Sequence, residues 1–254
     1  MRDFHPSGTA SAEAGLSLKH PTILQAIRAE LARVADPARA PAMQAYMKSA
    51  MPYHGVAAVP LRAACKRLLA DASAASEVFA DATSWRETIL AIWHGARFRE
   101  ERYVALEIVG HRSARAFRTL DALPLYEELI VTGAWWDLVD GLATHRLGDL
   151  LRAHPREMRR AMLAWSRSPD LWKRRASILA QNRFKADTDL ELLYACIEPS
   201  LDSREFFLRK AIGWALREHA WTDPAEVARY VGAMGDRLSG LTRREALKNI
   251  AKRG

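Results

Sequence analysis

From about Thr22 onward, apolar residues recur three and four positions apart, while alternating or β-branched runs are scarce. With no competing period of two, this pattern predicts an almost entirely helical chain. Prolines punctuate it at Asp36-Pro37, Met51-Pro52, Val59-Pro60, Leu123-Pro124, His154-Pro155, Ser168-Pro169 and Asp223-Pro224. The residue before proline resists the helical region and proline suits a first turn, so each pair marks a helix boundary. Asp202-Ser203 reads as a further N-cap. Helices of about 10 to 15 residues follow, and two of them make a unit of about 35 to 40. That is the period of HEAT-like helical pairs, and we prefer it to a compact bundle of similar periodicity. Stacked pairs bend into a superhelix with a concave face.

A hydrophobic fraction of 49% over 254 residues is ample for a core. Residues 1–18, rich in Ser, Ala and Gly, read as a loose N-terminal tail, and residues 19–254 as a single HEAT-like repeat domain. There is no signal-peptide core and no apolar run long enough to span a membrane, which places the protein in the cytoplasm. Cys65 and Cys196 are isolated among apolar residues, which argues against disulfides and a cysteine-based zinc site. The net charge of +8 favours a polyanionic partner. Between Arg152 and Lys185 ten Lys and Arg residues stand against two acids, Glu157 and Asp170. For any one of them the simplest reading is a solvated face.

Three helical stretches carry candidate chemistry. With Trp135 to Ala143 on a helix, Trp135, Val139 and Leu142 share a core stripe, and Trp136 and Asp140 form an i, i+4 pair on the neighbouring face. That second pair is either a half-buried wedge beside first-turn acids, Asp137 among them, or a chemical pair. In DLWKRRASILAQNRFK, Arg175 interrupts an apolar stripe formed with Leu171 and Ile178. A guanidinium there must pair with a carboxylate of the fold or reach a phosphate. In REFFLRKAIGWALREH, Leu208, Ile212, Ala215 and His219 make one stripe and Lys210, Trp214 and Arg217 another. The second is either core with a solvated flank or a nucleic-acid contact. No GxGxxG, P-loop, HExxH or GxSxG motif occurs, and His54, His111, His145 and His154 are scattered singly, as structural or exposed residues.

The segments YMKSAMPYHGV, EELIVTGAWWDLVD, LWKRRASILAQNRFK, SREFFLRKAIGWALREHAWTDP and LTRREALKNI together resemble the AlkD family of DNA-alkylation-repair glycosylases over residues 40–252. The resemblance implies an all-α, HEAT-like superhelix whose basic concave face holds duplex DNA, and excision of N3- and N7-alkylated purines without metal or organic cofactor. It assigns Asp140, Trp136 and Trp214 to the chemistry. It sets Arg175 on a phosphate of the lesion strand, with Tyr46 nearby; Lys173, Arg174, Lys185, Lys210 and Arg217 supply further DNA contacts. The expected state is a monomer, associated with the nucleoid when on DNA, in which Arg175→Ala weakens binding or excision and leaves the fold intact. The stretch from Pro52 to Leu69 departs most from the family. The alternative is a HEAT-like protein that binds damaged or distorted nucleic acid without cleaving; a pure binder would tolerate Asn at position 140. A protein scaffold would have no need of the stripe at Lys210, Trp214 and Arg217.

Overall fold

The structure is a computed structural model that describes residues 21–250, so the predicted tail at 1–18 lies outside the described residues. Among them are fifteen α-helices and no strand, an all-α helical-repeat fold. Two compact units divide the chain after Phe117.

The first unit contains α1 (Pro21–Arg33), α2 (Ala40–Met47), α3 (Ala58–Leu68), α4 (Ala72–Val78), α5 (Ala82–His94) and α6 (Arg99–Gly110). Ile23, Ile27 and Leu31 give α1 one apolar stripe, buried with Trp85, Ile89 and Ile92 of α5 and Val104 and Ile108 of α6. Asp81 caps α5 by accepting from the backbone N–H of Ser84. Two adjacent carboxylates on α6 are fully buried, and each is answered within the unit. Glu100 accepts from the backbone N–H groups of His54, Gly55 and Val56, while Glu101 accepts from Arg28 Nε. Gly55 has a left-handed backbone, and a Cβ there would sit 2.0 Å from the Asp36 carbonyl oxygen. Glu100 and Gly55 thus fix the loop between α2 and α3. Glu100→Gln is expected to cost about 2 kcal/mol, because an amide offers one acceptor oxygen where the carboxylate offers two charged ones. Urea unfolding should show a lower midpoint at unchanged m value.

The second unit begins with α7 (Leu123–Gly133). Ala134 ends it in a left-handed conformation (φ 43°) and Trp135 is extended. The next helix therefore starts at Trp136, one residue later than the periodicity predicts. It runs unbroken as α8 (Trp136–Gly141), a π-helical segment (Leu142–Leu147) and α9 (Gly148–Ala153). Then come α10 (Pro155–Ser166), α11 (Leu171–Leu179), α12 (Leu190–Ile197), α13 (Phe206–His219), α14 (Pro224–Met234) and α15 (Gly240–Leu247). Proline opens α10 and α14 at the first helical position, and Asp223 caps α14, as the dipeptides predict. Asp202-Ser203 behaves differently. Ser203 turns its hydroxyl to the Glu205 N–H, and α13 starts only at Phe206.

The stripe Leu208, Ile212, Ala215 and His219 is buried as predicted. Cys65 and Cys196 are free and buried. The four histidines are local fittings: His54 stacks on Phe98 and His111 on Phe79, His145 meets the Thr144 hydroxyl, and His154 lies between α9 and α10. No described helix is long and apolar enough to cross a membrane.

Candidate active site

The second unit joins three of its helices through one side chain. Arg175 on α11 points into the interior and is 5% exposed. Its Nε donates to Asp140 Oδ1 and its Nη2 to Asp140 Oδ2, both at 2.7 Å, while Nη1 donates to the Phe207 carbonyl at 2.6 Å. This planar fork against both carboxylate oxygens is the geometry arginine provides and lysine does not. Of the two partners open to Arg175 in the sequence, the structure shows the carboxylate. All three guanidinium nitrogens donate within the protein, so Arg175 is anchored inside the fold.

Asp140 keeps a narrow opening, with a side-chain exposure of 16%. Burial pushes its carboxyl above the ordinary value, and the hydrogen bonds and charge of Arg175 oppose that rise. The π-helical segment begins two residues after Asp140, and Thr144 donates its hydroxyl to the Asp140 carbonyl. Widened turns of this kind occur frequently at functional positions.

Trp136 stands one turn before Asp140, half-buried, and among the described residues it has no ring or hydrogen-bond partner. Trp135 takes the packing role by a route other than a helical stripe. From its extended backbone the indole meets Phe207 at 5.1 Å and Trp172 at 6.1 Å between ring centroids. Phe207 and Trp172 lie 5.0 Å apart, which closes an aromatic triangle beside the ion pair. Trp214 is two turns along α13 from Phe207, about 10 Å by helical rise. It is half-buried and donates its indole N–H to Glu218 Oε1 at 3.0 Å.

The basic residues divide differently from the sequence reading. Lys210 and Arg217 both pair with Glu245 of α15, and the Lys210 hydrogen bond, the largest influence, holds Glu245 below its ordinary value. Their stripe therefore clamps two helices, and the contact is close. A Cβ on Gly213 would meet the Glu245 Cβ at 2.5 Å and the Thr242 carbonyl oxygen at 3.1 Å. Gly213→Val should cost about 1–3 kcal/mol by overpacking, read as a lower urea midpoint. Lys173 pairs with Glu127 and lies over the Trp165 ring. Arg174 holds the turn after α12 through the Ser200 hydroxyl and the Pro199 carbonyl. These four cations were expected to meet DNA, and the structure gives each a partner inside the fold. Lys185 is exposed and has no partner among the described residues; so are Arg156, Arg160 and Arg183. Tyr46, in the first unit, is 76% exposed on α2, a helix with no buried residue.

Sequence reasoning missed Glu127, Phe207, Glu218 and Glu245. Glu218 was within reach of an i, i+4 reading from Trp214. The others meet their partners only through helix packing.

A family model described as DNA alkylation repair enzyme matches residues 27–250. A solved structure described as a predicted DNA alkylation repair enzyme from Enterococcus faecalis is similar, at 28% identity and a TM-score of 0.74, over 86% of this chain and 97% of that one. Comparison with curated protein sequences gave no match.

Proposed function

The chain belongs to the DNA alkylation repair enzyme family, and from that premise we propose that it is a DNA N-glycosylase releasing N3- and N7-alkylated purines of the 3-methyladenine and 7-methylguanine type from duplex DNA. The observation that carries the reading is the Asp140 carboxylate, held by a buried arginine fork yet still open to a reacting centre.

An alkylated purine of this kind already bears positive charge. Its C1′–N bond breaks with the electron pair passing to the base, which leaves neutral, and the sugar becomes an oxocarbenium-like cation. The group the protein must supply is an anion at that sugar. Asp140 stabilises the cation and accepts a hydrogen bond from the water that attacks C1′; as the C1′–O bond forms, that water's proton passes to the Asp140 carboxylate and from it to solvent, leaving an abasic site and a free base. Trp136, one turn away, and Trp214 present electron-rich faces to the same sugar and backbone, worth about 0.5–2 kcal/mol of cation–π attraction. Arg175 acts through Asp140 and is a positioning residue. Sequence-independent affinity falls to the unpaired exposed cations Lys185, Arg156, Arg160 and Arg183, with binding that weakens steeply with salt. Tyr46 is assigned to the DNA strand by the resemblance of its YMK element, and its exposure leaves the ring available for that contact.

The experiment is single-turnover incubation of the protein with methylated duplex DNA and chromatography of the released bases. Release of 7-methylguanine or 3-methyladenine is the expected result. Salt-sensitive binding with release of neither base would favour a non-cleaving binder.

A further inference from the structure

Trp214 is held by a carboxylate that has no cation of its own. Its indole N–H donates to Glu218 Oε1 at 3.0 Å, across one turn of α13. Other acids of this unit that accept side-chain hydrogen bonds meet a base: Asp140 pairs with Arg175, Glu127 with Lys173, Glu245 with Lys210 and Arg217, and Glu226 with Arg229. Among the described residues Glu218 has no ion pair. It sits instead at a small polar hollow with Asn182, Lys185 and His219, on the side of α13 where His219 is 92% buried, being 8% exposed. Both ring nitrogens of His219 and the Asn182 Nδ2 are buried without a hydrogen-bond partner. An unpaired carboxylate is a stronger acceptor for an indole N–H than one shared with a guanidinium. The spacing is set by the helix, and Gly213 lets the turn carrying Trp214 sit close against α15.

We propose that Glu218 is a positioning residue: it fixes the rotation of the Trp214 indole so that the ring face, and not its edge, is presented to the reacting sugar. The proposal rests on the glycosylase reading for its kinetic consequence, though not for the contact itself. Ring orientation matters because cation–π attraction acts over the face of the ring, while the ring edge is positive and repels a cation. A freely turning indole would spend part of its time in the unproductive pose.

Two variants separate hydrogen bonding from bulk. Glu218→Leu removes the acceptor, and Glu218→Gln keeps a neutral acceptor at the same place. In single-turnover excision from methylated duplex DNA, Glu218→Leu is expected to lower the rate about tenfold, with the half-saturating protein concentration unchanged within about twofold. Glu218→Gln should recover most of that loss. In a Trp214→Phe background, where no indole N–H exists, Glu218→Leu should have no further effect; such non-additivity marks a residue acting through its partner. An additive loss, or a Glu218→Leu protein as fast as wild type, overturns the proposal.

The indole Nε1–H resonance, identified by its disappearance in Trp214→Phe, provides a readout independent of catalysis. It should move upfield in Glu218→Leu and stay near its place in Glu218→Gln. An unmoved resonance in Glu218→Leu overturns the proposal even if the wild type releases no base. A moved resonance in a protein that releases no base leaves the contact standing and overturns the glycosylase reading instead.

Discussion

Asp140→Asn is expected to lower single-turnover release of 7-methylguanine by on the order of a hundredfold or more, with binding to intact duplex little changed. The amide occupies the same space and can still accept from Arg175 through one oxygen. It cannot carry the negative charge that a developing sugar cation calls for, and its NH2 group would point a donor at the Arg175 fork. The wild-type rate should also report the ionisation of this group. Because burial raises the Asp140 carboxyl above its ordinary value, the rate should fall as pH decreases through that raised value, at a higher pH than an exposed aspartate would give. Asp140→Asn should lose this acid limb together with the rate. A variant that retains wild-type release would remove Asp140 from the chemistry.

Arg175→Met is expected to cost about 3–5 kcal/mol of stability, since it strands a buried carboxylate and leaves the Phe207 carbonyl without its donor. Here the structure departs from the sequence expectation, in which losing this side chain spares the fold. Asp140 should answer the missing charge by holding its proton to higher pH, so residual activity should recover as pH rises. The combined replacement Arg175→Met with Asp140→Leu should regain much of the stability and none of the activity, because a well-packed apolar pair can replace a buried ion pair at little net cost. Urea midpoints for the two proteins, compared at equal m values, check this. Equal stability of Arg175→Met and wild type would mean that the fork contributes nothing to holding α8, α11 and α13 together.

The helices were legible in the chain because their determinants are local. The stripe from Leu208 to His219 needs only a period of 3.6, and proline at the start of α10 and α14 needs only its fixed φ and missing N–H. Arg175 could be recognised as an anomaly on an apolar stripe, and its need for an anion followed from burial alone. Which anion it met depended on how α8 packs on α11, and no local period carries that information. Lys210 and Arg217 read as DNA contacts for the same reason: Glu245, which pairs with both, lies 28 residues beyond Arg217. Trp135 was placed one residue inside a helix because nothing in the composition of Gly133-Ala134 announces that alanine adopts the left-handed turn. The π-helical segment leaves no mark in the apolar pattern that a plain α-helix would not also leave.

A carboxylate has about four lone-pair directions, and the fork on Asp140 occupies two of them, one on each oxygen. The remaining two diverge to opposite flanks of the group, and it cannot swivel to offer them elsewhere without breaking both bonds. Under the proposed reading, Asp140 is a stationary tool: it has no means of following a sugar that arrives off-axis. Discrimination between lesions is then settled by mechanics on the nucleic-acid side, by how much work a given duplex needs to bring one C1′ into a place that never moves.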